Sequence, residues 1–170
     1  MEVDPECRAI AEHVLNAFRA EGLRVATVES CTGGLIAAQL TSIAGSSDVF
    51  ERGFVTYSNE AKAEAVGVPP ELIEENGAVS SPVAAAMASG GLERSNADAC
   101  VAVTGIAGPG GGSDEKPVGL VFVAVAIRDG QGAYVEEFRF GTRPRDEIRN
   151  STVKMALEML LAYGIESEIG

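Results

Sequence analysis

Apolar residues recur at helical spacing over residues 5–21 (Ile10, Val14, Leu15, Phe18), and Gly22 follows as a stop, which predicts an amphipathic first helix. The period then changes. Residues 24–28 read as a short strand, residues 33–43 as a helix ended by Gly45, and residues 50–58 (FERGFVTYS) as a second strand. Asn59 is placed to cap the helix NEAKAEAV, which stops at Gly67 before Pro69-Pro70. Residues 71–80 look irregular, with a short helical piece (ELIEENG). Ser81-Pro82 then supplies an N-cap and a first-turn proline for an Ala-rich helix to about residue 95. A buried strand spans 98–103, and the glycine-rich loop 104–119 follows it; a loop of that length is usually functional or mobile. Strands over 118–127 and 133–140 are joined by Asp129-Gly130-Gln131-Gly132, a hairpin signal. The last helix runs over 144–163 on Ile148, Val153, Met155, Leu157, Leu160 and Leu161.

The order α-β-α-β-α-α-β-β-β-α alternates through its first two-thirds, as parallel strands joined by crossovers do, and closes with an antiparallel hairpin. The expected fold is therefore α/β: a three-layer α/β/α sandwich with a mixed, mostly parallel central sheet, formed as a single domain over 1–170. Composition agrees. Apolar residues make up 46% of the chain but aromatics only 5%, so Val, Ile, Leu and Ala must build the core.

A net charge of −12 opposes binding to nucleic acid and to anionic membranes, yet a local arginine cluster can still receive a small phosphorylated ligand. No apolar stretch approaches the roughly 20 residues of a membrane span. The acidic, amphipathic N-terminus does not look like a signal peptide. Cys7, Cys31 and Cys100 form no C-x-x-C pair, so a reducing cytoplasm is expected. The single histidine, His13, lies off the apolar stripe of its helix with no ligand cluster around it, and no metal site is expected. Low aromatic content and a loop that must close point to a homo-oligomer.

Ser30, in Glu29-Ser30-Cys31-Thr32-Gly33-Gly34, sits where a strand breaks into a glycine-rich turn before a helix, the position of a nucleophile or of an anion cradle. It needs a base. His13 stands alone on the first helix, which argues against a Ser-His-Asp triad, and no G-x-S-x-G elbow is present. A lysine or a tyrosine–lysine couple remains. Of the lysines Lys62, Lys116 and Lys154, Lys62 follows Tyr57 where a strand passes into a helix. Ser30, Tyr57 and Thr104 all fall at strand C-terminal ends, which face the ligand crevice in open α/β sheets. Lys62 is also readable as a solvated helix lysine paired with nearby glutamates, and Tyr57 as a half-buried strand residue. The loop Thr104-Gly105-Ile106-Ala107-Gly108-Pro109-Gly110-Gly111-Gly112-Ser113 is a second candidate cradle, though it matches no nucleotide-binding fingerprint. Arg143, Arg145 and Arg149 could grip a phosphate at the start of the last helix, or pair locally with Asp146 and Glu147. Cys31 is a rival nucleophile, but a small buried thiol suits its place better.

Together Glu29–Gly34, Gly53–Lys62, Gly77-Ala78-Val79-Ser80, Thr104–Pro109 and Lys116-Pro117-Val118-Gly119 closely resemble the CinA C-terminal domain family, over residues 5–163. The resemblance implies a serine amidohydrolase that converts nicotinamide mononucleotide to nicotinic acid mononucleotide and ammonia, without metal or other cofactor. It implies Ser30 as nucleophile, Lys62 as base and Tyr57 as assistant, with Thr104, Gly105 and their loop lining the site. Thr32, Gly33 and Gly34 would serve the oxyanion, and Arg145 and Arg149 would hold the 5′-phosphate. Longer family members add an N-terminal domain resembling molybdopterin-binding proteins, and the stand-alone form favours the simple deamidase. The alternatives are a non-catalytic nucleotide-binding regulatory module linked to competence or DNA damage, and an interaction partner in DNA uptake or repair, which the acidic charge opposes.

Overall fold

In the computed structural model, which describes residues 4–165, five strands form one sheet in the order β2-β1-β3-β4-β5. They are β1 (Val25–Glu29), β2 (Phe50–Val55), β3 (Ala99–Gly105), β4 (Leu120–Ile127) and β5 (Ala133–Arg139). β1 pairs parallel with β2 and β3, while β4 runs antiparallel to both β3 and β5. Only β4 is reversed, so the sheet is mixed and mostly parallel, as expected.

Six helices cover the two faces: α1 (Pro5–Ala20), α2 (Leu35–Thr41), α3 (Asn59–Val66), α4 (Pro70–Asn76), α5 (Ser81–Glu93) and α6 (Arg145–Tyr163). Strand alternation builds two cores of different character. Val101, Val103, Val121, Val123 and Val125 pack against α1, α2 and α6. Cys100, Ala102, Ala124 and Ala126 lie under α3, α4 and α5. Small sheet residues meet small helix residues there: a Cβ on Gly90 of α5 would stand 1.8 Å from the Val66 carbonyl oxygen, so α5 and α3 touch through backbone.

Two caps differ from expectation by one residue. Ser58, not Asn59, accepts the Ala61 N–H at 3.0 Å, because Asn59 is already helical. Ser80, not Ser81, is the cap residue of α5, and its hydroxyl donates to Gly77 O at 2.8 Å. Residues 70–76 form a helix opened by Pro70, the short helical piece expected from ELIEENG, begun one residue earlier. β2 ends at Val55, so Tyr57 belongs to the connection beyond it. Among the described residues no helix is long and apolar enough to cross a membrane.

The chain leaves β1 toward β2 by way of α2 on one face, then reaches β3 by way of α3–α5 on the other. The strand order therefore reverses between β1 and β3. At such a switch point the two crossovers part and leave a crevice beyond the strand C-termini.

Candidate active site

The crevice holds a cavity of about 280 Å³, whose lining includes Ser30, Cys31, Tyr57, Lys62, Thr104 and Arg145. Ser30 extends the ladder beyond β1, its N–H donating to Val103 O at 3.1 Å. Alternation then sends consecutive side chains to opposite faces: Glu29 toward α2, Ser30 toward α3. α3 answers with Lys62, whose Nζ lies 3.0 Å from Ser30 Oγ and 2.8 Å from Thr56 O. Lys62 is only 1% exposed and forms no salt bridge among the described residues. It is not the solvated helix lysine that its flanking glutamates allowed. Burial without a paired carboxylate lowers its pKa below the ordinary lysine value.

Thr104 is buried at the end of β3, and its hydroxyl donates to Ala78 O at 2.9 Å, drawing residue 78 to the cavity wall. Gly105 and its loop complete that wall. Tyr57, 60% exposed, stands at the mouth and is not the half-buried strand residue its sequence position allowed. Its hydroxyl accepts from Arg145 Nη2 at 3.0 Å, while Arg145 Nη1 donates to Gly108 O at 2.7 Å. No hydrogen bond joins Tyr57 to Ser30 or Lys62 among the described residues. Neither Arg145 nor Arg149 pairs with Asp146 or Glu147 among the described residues. The lining carries two basic side chains, Lys62 and Arg145, and no carboxylate among the described residues, so the Arg145 guanidinium leaves the local field positive in a chain of net charge −12.

Four of the expected residues do not reach the cavity. Thr32 is buried with its hydroxyl on Glu29 Oε1 at 2.6 Å. Gly33 and Gly34 adopt φ of +58° and +106°, the left-handed backbone that lets the chain turn from β1 into α2. Arg149 donates to Cys31 O at 3.2 Å and to Thr32 O at 3.1 Å.

The residue that sequence reasoning passed over is Glu29. Its buried carboxylate also accepts the Ile36 N–H at 2.8 Å and the Ala37 N–H at 3.1 Å. The N-terminus of α2 is thus already occupied by a carboxylate of this chain, and an external phosphate has no place there. A Glu seven residues before the first donor was the available signal, readable only if the intervening glycines were known to reverse the chain.

Burial pushes the Cys31 thiol up to about 12. A thiol held that high stays protonated near neutral pH, which opposes its use as a nucleophile. Iodoacetamide at pH 8 is therefore expected to leave Cys31 unmodified in the folded protein, read by peptide mass spectrometry. Alkylation at the rate of a free thiol would contradict this.

A model of the CinA C-terminal domain matches residues 7–163. The nicotinamide-nucleotide amidohydrolase PncC of Escherichia coli strain K12 is 50% identical over 157 residues, covering 92% of this chain and 94% of that protein. A CinA-like protein of Geobacter sulfurreducens is 52% identical over 147 residues, 86% of this chain but 35% of that longer protein. The competence/damage inducible protein CihA from Agrobacterium tumefaciens superposes with a TM-score of 0.94 at 52% identity, covering 97% of this chain and 99% of that one. The competence damage-inducible protein A from Klebsiella pneumoniae does so with a TM-score of 0.87 at 34% identity, covering 92% and 96%. Sequence identity and shared architecture extend over nearly the whole chain, and it belongs to the CinA C-terminal domain family.

Proposed function

We propose that this chain is a nicotinamide-nucleotide amidohydrolase that cleaves the carboxamide of nicotinamide mononucleotide, with Ser30 as nucleophile and Lys62 as its base. The observation that carries the reading is the buried Ser30–Lys62 contact of 3.0 Å, in a cavity whose lining holds no carboxylate among the described residues. The name of the 50% identical relative supports the substrate.

A neutral Lys62 keeps one N–H on Thr56 O, which turns its lone pair to the Ser30 hydroxyl. Ser30 Oγ attacks the amide carbon as Lys62 takes its proton. The developing oxyanion meets the backbone N–H of Cys31, the one residue of the turn after Ser30 that lines the cavity, a donor held in place before the reaction. Lys62 then passes its proton to the amide nitrogen. The C–N bond breaks, ammonia leaves, and an ester to Ser30 remains. Lys62 takes a proton from water as the water oxygen attacks that ester, then passes it to Ser30 Oγ as the C–O bond breaks; the pyridine carboxylic acid leaves and loses its remaining proton to solvent. Arg145, with Tyr57 beside it, receives the 5′-phosphate at the mouth, where a guanidinium can bind two phosphate oxygens. Thr104 and Gly105 shape the wall opposite.

The test is ammonia release from nicotinamide mononucleotide by the purified protein, coupled to detection of nicotinic acid mononucleotide in equal amount. Release in that ratio is the expected result. Tight binding of the nucleotide without release would leave a non-catalytic binding module instead.

A further inference from the structure

The glycine-rich loop between β3 and β4 supplies much of the cavity wall, since Ile106, Ala107, Gly108, Gly110 and Gly111 all line it. Ala78 and Val79, from the connection between α4 and α5, line it too. Glycines give such a loop little stiffness of its own, so its shape depends on its ties to the rest of the fold. Among the described residues, two side-chain hydrogen bonds join residues 107–118 to elements outside the loop. Arg145 Nη1 donates to Gly108 O at 2.7 Å, and the loop's own Lys116 donates from Nζ to Asn76 O.

Both ends of the Lys116 contact are shaped to it. The Lys116 N–H donates to Ser113 Oγ at 3.0 Å and the Ser113 N–H to Lys116 O at 2.8 Å, a closed turn that sets where the lysine stem begins. On the receiving side Asn76 ends α4, where carbonyls lack an intrahelical partner. Gly77 follows with φ of +79°, and a Cβ there would stand 2.6 Å from Lys116 Nζ, so bare backbone is what admits the ammonium. Lys116 is half-buried and forms no salt bridge among the described residues, although Asp114 and Glu115 precede it in sequence. Its ammonium is spent on a main-chain carbonyl, a charge-assisted bond. The next two carbonyls are taken in turn, Gly77 O by the Ser80 hydroxyl at 2.8 Å and Ala78 O by the Thr104 hydroxyl at 2.9 Å. Side chains thus hold three consecutive carbonyls of the connection that lines the cavity, and only Lys116 brings the loop into that set.

We infer that Lys116 is a positioning residue for the nucleotide: by holding Asn76 O it fixes the glycine-rich loop against the α4–α5 connection, and so sets the wall that both segments present to the substrate. Lys116 is not among the residues that line the cavity, and it acts through the backbone it ties. Arg145, once turned to the phosphate, gives up Gly108 O, and Lys116 is then the side-chain tie that the loop keeps. The inference rests on the reading of this cavity as the nucleotide site.

Lys116→Met keeps the stem and removes the ammonium. The Kd of nicotinic acid mononucleotide, measured by calorimetry, is expected to weaken about tenfold, the loss of about one charge-assisted hydrogen bond. KM for nicotinamide mononucleotide should rise by a similar factor while kcat stays within about threefold, because Ser30 and Lys62 are untouched. Hydrogen exchange of the unliganded protein separates the site from the fold. Amides of residues 106–113 are expected to exchange at least about tenfold faster, with those of β1 and β3 unchanged. Lys116→Arg, which keeps a cationic donor, is expected to bind within about threefold of the wild type. An unchanged Kd for Lys116→Met would overturn the inference. Faster exchange throughout the sheet would overturn it too, since Lys116 would then serve the stability of the fold and not the site. A wild type that neither binds nor turns over the nucleotide would overturn the amidohydrolase reading instead, and the exchange rates, which need no ligand, would still decide whether Lys116 ties the loop.

Discussion

Methionine in place of Lys62 is expected to lower kcat/KM for nicotinamide mononucleotide by at least about 10,000-fold, with Ser30→Ala costing a similar factor and the double variant little more. A nucleophile and its base act as one unit, so once either is gone the other has nothing left to contribute. Methionine keeps the bulk and apolar stem of Lys62 and removes only the amine. The side chain is 1% exposed in the core under α3, which allows the fold to survive the change.

The pH profile of the wild type makes the assignment sharper. Lys62 acts as a base only when neutral, and burial has lowered its pKa from the ordinary 10.5. As pH falls through that lowered value the amine protonates, and kcat/KM should drop about tenfold per pH unit. Above it the rate should level off. Lys62→Arg carries a guanidinium that stays protonated throughout, and should be inactive at every pH. A wild-type profile with no acidic limb, or a Lys62→Met variant retaining a tenth of the activity, would remove Lys62 from the reaction.

The second large effect is on stability. Glu29→Ala is expected to destabilise the protein by at least about 3 kcal/mol, because it strands the Ile36 and Ala37 N–H groups and the Thr32 hydroxyl, each about 1–3 kcal/mol when buried unpaired. The loss extends to geometry, since α2 and the turn after Ser30 share that one carboxylate. Glu29→Gln should fall between, as one amide oxygen can accept but the NH₂ group opposes a donor. Urea unfolding monitored by circular dichroism measures both. A midpoint for Glu29→Ala equal to that of the wild type would mean that water replaces the carboxylate without cost.

Much of this was legible along the chain. Short apolar runs bounded by turn residues marked the strands, and the βαβ order with its closing hairpin led to a mixed sheet. The glycine turn after Ser30, the lysine at the start of α3 and the threonine ending β3 could be read as one site, because strand C-termini converge whatever the side chains between them. The caps slipped by one residue because Ser58 and Asn59, or Ser80 and Ser81, are chemically interchangeable as caps, and only the backbone angle decides which of each pair lies outside the helix.

Arg149 and Glu29 were illegible for a different reason. An arginine beside a nucleophile's turn reads as a phosphate ligand until its two carbonyl partners, 117 and 118 positions away in sequence, are known. A glutamate at a strand end reads as solvated until the chain turns back over it. Secondary structure and the layer order follow from local periodicity and connection rules, which act over a few residues and are written in each segment. The burial that lowers the Lys62 pKa, the 3.0 Å contact across 32 residues to Ser30, and the split between Arg145 and Arg149 depend on how α3 and α6 dock against the sheet. That docking sums many weak contacts from distant segments, and no single segment carries it.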